Sequence, residues 1–140
     1  MKYENIGGNI MTTELEMLAW TSGLTVIMWL PYILGHIKNV GLMPVLTYKD
    51  DAEPMPDWAT RAKKAHYNAI ENLAPFTALI VVAHLASISN TATATAAIAY
   101  FWFRCAHYIL YILNVPFGRT LAMGGGLAAQ ICIFYQIVMA

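Results

Sequence analysis

Four long apolar runs, separated by polar or turn-forming segments, dominate the sequence. They cover approximately residues 17–37, 58–87, 93–113 and 119–139. Each run is long enough for a transmembrane helix, which takes about 20 residues. A longer loop with three prolines follows the first run, and short turns around Asn90 and at 114–118 separate the others. Because short connections favour antiparallel neighbours, the pattern predicts an all-α integral membrane protein with an antiparallel bundle of four transmembrane helices.

The same pattern predicts the domain boundaries. Residues 1–16 are expected to form an N-terminal tail, and residues 17–140 a four-helix transmembrane domain. Within that domain, Pro31 is expected to kink the first helix, because proline lacks a backbone N–H. Asp57 is expected to cap the second helix.

Composition supports this class of protein. Hydrophobic residues make up 59% of the chain and charged residues 11%, against about 25% charged in soluble domains. Eight Lys plus Arg balance eight Asp plus Glu, so no basic excess points to nucleic acid as a partner. Membrane lipid is the expected environment. Cys105 and Cys132 lie in apolar runs without CxxC spacing, and neither a disulfide framework nor a metal site is indicated.

The basic residues near the ends of the runs predict the orientation. Five of them flank the first loop, and the other ends have Lys2 and Arg119 alone. The five are Lys38, Lys49, Arg61, Lys63 and Lys64. Because basic residues favour the cytoplasmic side, we expect the first loop to be cytoplasmic and both termini to lie on the opposite side of a multi-pass protein.

Two polar stripes run along the second and third predicted helices. Lys64, Asn68 and Glu71 are spaced i, i+4, i+7, which places them on one helix face. Glu71 then lies about 10 Å deeper in the membrane than Lys64.

The third helix carries Arg104, His107 and Tyr111 at i, i+3, i+7, also on one face. By helix rise, Tyr111 is shallow, His107 about 10 Å deep and Arg104 about 15 Å deep. Arg119 begins the fourth helix at the same end of the bundle. The two stripes overlap in depth, so the sequence predicts one polar zone that faces the cytoplasm.

Two interpretations of this zone remain open. An ionised side chain deep in the bilayer is costly, so Glu71 and Arg104 are expected to form a structural ion pair or to bind a ligand. The basic groups at the cytoplasmic mouth outnumber the acids there, which favours a small anionic ligand. These groups are Lys64, Arg119, Lys38 and His36.

The segments KAHYNAIENLAPF (64–76) and RCAHYILY (104–111), with the later Arg119, resemble the membrane-associated proteins in eicosanoid and glutathione metabolism, the MAPEG family, in its bacterial form. The resemblance covers approximately residues 18–136. Its most specific element is the Asn-x-x-Glu pattern at Asn68 and Glu71. It implies a homotrimer of four-helix subunits, with glutathione as co-substrate between adjacent subunits near the cytoplasmic face.

The resemblance also implies roles for individual residues. Asn68 and Glu71 would hold the glutathione backbone, Tyr111 and Lys64 its carboxylates, and Arg119 the catalytic thiolate. His107 stands in the same ligand-binding set, at a position where other members have Tyr. Arg104 would be the buried partner of Glu71.

Two classes of function follow from the resemblance. The first is a glutathione transferase or peroxidase acting on lipophilic electrophiles. The second is a non-catalytic member of the same fold, either an accessory subunit of a larger membrane complex or a lipid-binding scaffold. Lys64, which stands where glutathione-using members tend to carry Arg, and Tyr67 favour the second class. A transporter is disfavoured, because the spans lack broken helices in matching halves.

Overall fold

A computed structural model describes residues 11–49 and 53–140, and within these ranges the chain forms six helices. They are α1 (Thr13–Ile27), α2 (Trp29–Val40), α3 (Leu42–Leu46), α4 (Asp57–Leu85), α5 (Thr91–Ile112) and α6 (Pro116–Val138). The first ten residues of the predicted tail lie outside the described residues. α1 begins at Thr13, so the helix extends into the segment 1–16 that was predicted to be tail.

Within residues 11–49 and 53–140, three segments are long and apolar enough to cross a membrane: Thr13–Val40, which combines α1 and α2, Asp57–Leu85 and Pro116–Val138. The predicted third span forms a helix, α5, of 22 residues, but α5 is not among these three. Its alternating threonines and its Arg104 and His107 lower its hydropathy. The all-α class is confirmed, and a fourth membrane crossing stays a prediction.

Local sequence signals explain where three of the six helices in the described residues begin. The Thr12 hydroxyl accepts a hydrogen bond from the backbone N–H of Leu15. At the start of α5, Asn90 and Thr93 form a reciprocal capping box. α6 begins at Pro116, where the missing N–H costs no helical hydrogen bond. The prediction for Asp57 was wrong, because Pro56 holds the cap position and Asp57 is the first residue of α4.

The first span is divided into two helices. α1 ends before Met28 and α2 begins after it, three residues before Pro31. Because Pro31 has no N–H to donate to the carbonyl of residue 27, the helical hydrogen bonding is interrupted there. At the next residue, the Met28 carbonyl accepts a hydrogen bond of 3.0 Å from the Tyr108 hydroxyl on α5. The predicted kink is therefore a break, located before the proline.

The first loop contains a short helix that was not predicted. α3 follows Gly41, whose φ of 93° ends α2. The third position of α3 is Pro44, which a first helical turn tolerates because its N–H would have no partner there.

The core lies among α1, α4, α5 and α6. Phe76 of α4 and Tyr100 of α5 are fully buried and stack with ring centroids 3.9 Å apart. α5 packs closely on α6. The closeness is evident at Gly125, where an added Cβ would lie 2.4 Å from ring atoms of Phe103. A Cβ at the neighbouring Gly124 would meet nothing within 4 Å.

Side-chain hydrogen bonds define the two ends of the bundle. At the first-loop end, where α4 begins and α5 ends, Arg61 Nε donates to the Ile112 carbonyl at 2.9 Å. At the opposite end, where α4 ends and α5 begins, Ser89 donates to Glu14 of α1. The bundle therefore has one end beside the first loop and one end beside the start of α1.

Candidate functional site

Arg104 connects α5 to α4 at the centre of the predicted polar zone. Its guanidinium Nη2 donates to Asn68 Oδ1 at 2.7 Å and lies 3.1 Å from His107 Nδ1. Arg104 is 4% exposed and His107 3%. The two partners are an amide and an imidazole, so a buried cation is held here by polar groups that carry no negative charge.

The chain of contacts continues toward the first-loop end. The rings of His107 and Tyr111 meet edge to face with centroids 5.5 Å apart. The Arg119 guanidinium carbon lies 4.8 Å from the centroid of the Tyr111 ring, within cation–π range. Five side chains from three helices thus form one continuous series, called the arginine array here: Asn68, Arg104, His107, Tyr111 and Arg119.

Exposure increases from Arg104 to Arg119. Arg104 and His107 are buried, whereas Tyr111 and Arg119, like Asn68, are only partly buried. Arg119 lies in the first turn of α6, where the free backbone N–H groups and the helix dipole favour an anion. The array therefore has a buried end at Arg104 and an accessible, positively charged end at Arg119.

The predicted ion pair between Glu71 and Arg104 is not formed within the single chain, over residues 11–49 and 53–140. Glu71 is exposed, and the Arg104 guanidinium is occupied by Asn68 and His107 instead. The reason lies in helix geometry, since Glu71 follows Asn68 by three residues and is turned about 60° from it around α4. Asn68 contacts Arg104 of α5, whereas Glu71 is exposed on α4.

Lys64 also lies outside the array. It is exposed on α4, as is Tyr67, whose ring lies 5.8 Å from the Lys63 ammonium. The structure thus brings together Asn68, Arg104, His107, Tyr111 and Arg119, and it leaves Lys64 and Glu71 on the outer surface of the single chain.

The basic residues that were predicted to lie together at the cytoplasmic mouth are found in separate places. His36 is buried on α2 and lines a cavity of about 370 Å³ that also borders Tyr48, Glu53 and Lys63. No member of the arginine array borders that cavity. Lys38 is exposed at the end of α2. The predicted contribution of the first helix to the polar zone is therefore separate from the array.

Sequence reasoning missed several polar contacts that hold the array helices in place. Tyr100 donates to the Asn72 carbonyl at 2.9 Å, and the Asn72 side chain donates to the Asn68 carbonyl at 2.8 Å. Pro75 follows in the same helix and removes one backbone donor. The spacing of the two asparagines just before a mid-helix proline is the sequence signal that could have indicated this arrangement.

His66 also has a structural contact. It is buried against α2, where its Nδ1 lies 3.1 Å from the Tyr32 hydroxyl. This agrees with a packed histidine that joins two helices.

Comparison with known proteins gives a family match that includes these residues. A sequence model described as the MAPEG family matches residues 17–139, which is nearly the whole of the described chain. Among curated proteins, none matches the sequence.

Proposed function

This chain belongs to the MAPEG family, and from that premise and the geometry of the arginine array we propose that it is a glutathione-linked membrane enzyme. The observation that carries the proposal is the position of Arg119, in the first turn of α6 with its guanidinium over the Tyr111 ring. A cation in that place, at the accessible end of a buried polar series, suits an anionic thiol ligand.

The chemistry of glutathione matches the groups available. Its two carboxylates and its thiolate are anions, and its amine is a cation. Arg119 and Lys64 can bind the anions, and the exposed Glu71 can bind the amine. The buried Nε of Arg104 has no hydrogen-bond acceptor in the described part of the chain, so the guanidinium is not fully satisfied within the single chain.

Arg119 would activate the thiol. The thiolate is the nucleophile, and a nearby guanidinium together with a helix N-terminus lowers the pKa of a thiol. In conjugation, the thiolate sulfur forms a C–S bond with the electrophile, and the leaving group departs with the bonding electrons. In peroxide reduction, two glutathione thiols are oxidised to a disulfide, while a lipid hydroperoxide is reduced to an alcohol and water.

The membrane supplies the second substrate. The chain is a multi-pass integral membrane protein, so a lipophilic electrophile can enter from the bilayer while glutathione enters from water. We propose α5 as the fourth span, because it lies between α4 and α6 and is 22 residues long. The first loop would be cytoplasmic. Labelling of a cysteine at Asp51 from the non-cytoplasmic side of intact cells would contradict that orientation.

A homotrimer would complete the site. Glu71 lies near the middle of α4 and is exposed on the single chain, where an ionised carboxylate facing lipid costs about 3 kcal/mol on insertion scales. A neighbouring subunit that covers Glu71 and Lys64 removes this cost. The number three comes from the family resemblance. Native mass spectrometry in mild detergent should give a trimer, weakened by Glu71→Ala and unchanged by Glu53→Ala. A dominant monomer of the wild type would contradict the shared site.

The direct test follows thiolate formation by its ultraviolet absorbance across pH, with glutathione bound to the purified protein. The wild type should show thiolate at neutral pH. Arg119→Ala should raise the pKa of the bound thiol while keeping much of the binding, Arg119→Lys should restore part of the effect, and Lys49→Ala in the first loop should change nothing. If glutathione is bound without thiolate at neutral pH, the catalytic role of Arg119 is wrong.

One observation supports a second function. Arg104, Asn68 and His107 already bond to one another within the chain, as a structural network would. On this alternative, the protein is a non-catalytic member of the fold that serves as an accessory subunit of a larger membrane complex or as a lipid-binding scaffold. Co-purification in stable stoichiometry with another membrane protein, in the absence of glutathione binding, would support it.

A further inference from the structure

Glu14 is a buried carboxylate at the opposite end of the bundle from the arginine array. It lies in the first turn of α1 and is 3% exposed. The Ser89 hydroxyl lies 3.1 Å from each of its carboxylate oxygens, and the Thr93 hydroxyl donates to Oε1. These hydroxyls donate hydrogen bonds to the carboxylate, but they are neutral and do not balance its negative charge.

A cavity of about 250 Å³ opens beside this carboxylate. Besides Glu14, its lining includes the polar side chains of His84, Ser87 and Ser89 and the apolar side chains of Ile80 and Ala83. A buried carboxylate is stabilised when a cation pairs with it. The cavity provides the space in which such a cation can approach Glu14.

The cavity is separate from the arginine array. Thr93 precedes His107 by 14 residues on α5, which corresponds to about 21 Å along the helix. The 29 residues of α4 extend about 44 Å, whereas the hydrocarbon core is about 30 Å thick. Because α4 is long enough to cross that core, we place its end, which forms one wall of the cavity, at the level of the lipid headgroups.

We propose that this cavity binds a primary ammonium group, which forms an ion pair with Glu14. The three N–H donors of a primary ammonium suit a carboxylate and the nearby hydroxyl oxygens. At headgroup depth, one source of this group is phosphatidylethanolamine, and the other is a small soluble amine. The site is independent of glutathione and goes beyond the proposed function.

The test measures lipid binding to the purified full-length protein in detergent by native mass spectrometry. The probes are short-chain phosphatidylethanolamine and phosphatidylcholine, which have the same net charge but differ in their ammonium hydrogens. The wild type should bind phosphatidylethanolamine about tenfold more tightly, because a charge-assisted hydrogen bond is lost with the quaternary ammonium. Glu14→Gln should remove this preference. Glu16→Gln, which changes an exposed carboxylate on the same helix, should retain it.

A second variant keeps the test decisive if Glu14→Gln does not fold. His84→Trp narrows the cavity from an exposed position and leaves Glu14 with its hydroxyl partners, so it should also remove the preference. Binding of free ethanolamine, with choline as the quaternary control, separates the two sources. A preference for ethanolamine over choline without a lipid preference would assign the site to soluble amines, and a lipid preference would assign it to the lipid. Absence of both preferences, or a preference that persists in folded Glu14→Gln or His84→Trp, would overturn the proposal.

Discussion

At the first-loop end of the bundle a guanidinium is buried against an amide and an imidazole, whereas at the opposite end a carboxylate is buried against hydroxyls. The two ends differ in what lies next to the buried charge. From Arg104, a series of aromatic contacts leads outward to a second, partly buried guanidinium at Arg119. Beside Glu14, the neighbouring space is a cavity.

At each end, a buried charge that joins helices lies beside a feature that can meet a ligand, Arg119 at one end and the cavity at the other. Arg104 and Glu14 each join helices through short hydrogen bonds, so their loss should affect stability. Arg119 contacts a ring face and is partly exposed, so its loss should affect ligand chemistry more than folding. The following variants test this distinction, from the largest expected effect to the smallest.

Arg104→Leu should lower the free energy of unfolding by about 3 kcal/mol, because the partly buried Asn68 and the buried His107 both lose their charged hydrogen-bond partner. Reversible unfolding in mixed detergent micelles measures this. Arg119→Leu is the control and should cost about 1 kcal/mol or less, since it loses a partly exposed cation–π contact. Equal losses in the two variants would contradict the separation of roles.

Glu14→Ala should cost about 2 kcal/mol, because the Ser89 and Thr93 hydroxyls lose a charged acceptor. The matched control is Glu16→Ala, an exposed position on the same helix, which should stay within about 0.5 kcal/mol of the wild type. The same unfolding measurement applies. A Glu14→Ala variant as stable as Glu16→Ala would show that the contacts of Glu14 do not join α1 to α5.

Gly125→Ala tests the close packing of α5 on α6 between the two ends. The added Cβ would lie 2.4 Å from the Phe103 ring, and such overpacking costs about 1–3 kcal/mol. Gly124→Ala places the same methyl group in open space and should cause no loss. Thermal unfolding of both variants measures this difference. A similar loss of stability in each would exclude the contact with Phe103 as the cause.

Tyr111→Phe and Tyr111→Leu give the smallest and most specific effect. Arg119 lies over the ring, so Phe should keep the contact, whereas Leu should lose about 0.5–1 kcal/mol of cation–π stabilisation. The shift in melting temperature of the two variants measures this. If Phe is as damaging as Leu, then the Tyr111 hydroxyl, rather than its ring, holds the array together.

Much of the helical architecture could be predicted from the sequence, because long apolar runs, prolines and capping residues act locally. The helices at 57–85, 91–112 and 116–138 begin and end within a few residues of their predicted bounds. The sequence predicted a kink at Pro31, whereas the helix is broken at Met28. The effect of Pro31 falls on the preceding helical turn, and the contact between Tyr108 and Met28 is a tertiary one. Helix α3 was missed, because three prolines in the loop suggested irregular structure.

The sequence indicated the polar residues that form the array, but not which of the predicted residues contact one another. Spacing placed Asn68 and Glu71 on the same face of a helix, yet it could not tell which of them is turned toward α5. That depends on the rotation of α4, which its contacts with α5 determine. The most favourable charge pair in the sequence, Glu71 with Arg104, is therefore replaced by an amide contact. The Glu14 contacts were missed for a related reason, because Ser89 and Thr93 lie 75 and 79 residues away from Glu14 in the chain.

The central claim is that the positively charged end of the arginine array, completed by Glu71, binds glutathione. Isothermal titration of the purified protein in detergent with glutathione tests it most directly. The account predicts saturable binding to the wild type, unchanged in Lys49→Ala and weakened about tenfold in Glu71→Gln, which loses the charge opposite the glutathione amine. Absence of saturable binding to the folded wild type, or equal binding to Glu71→Gln, would contradict it.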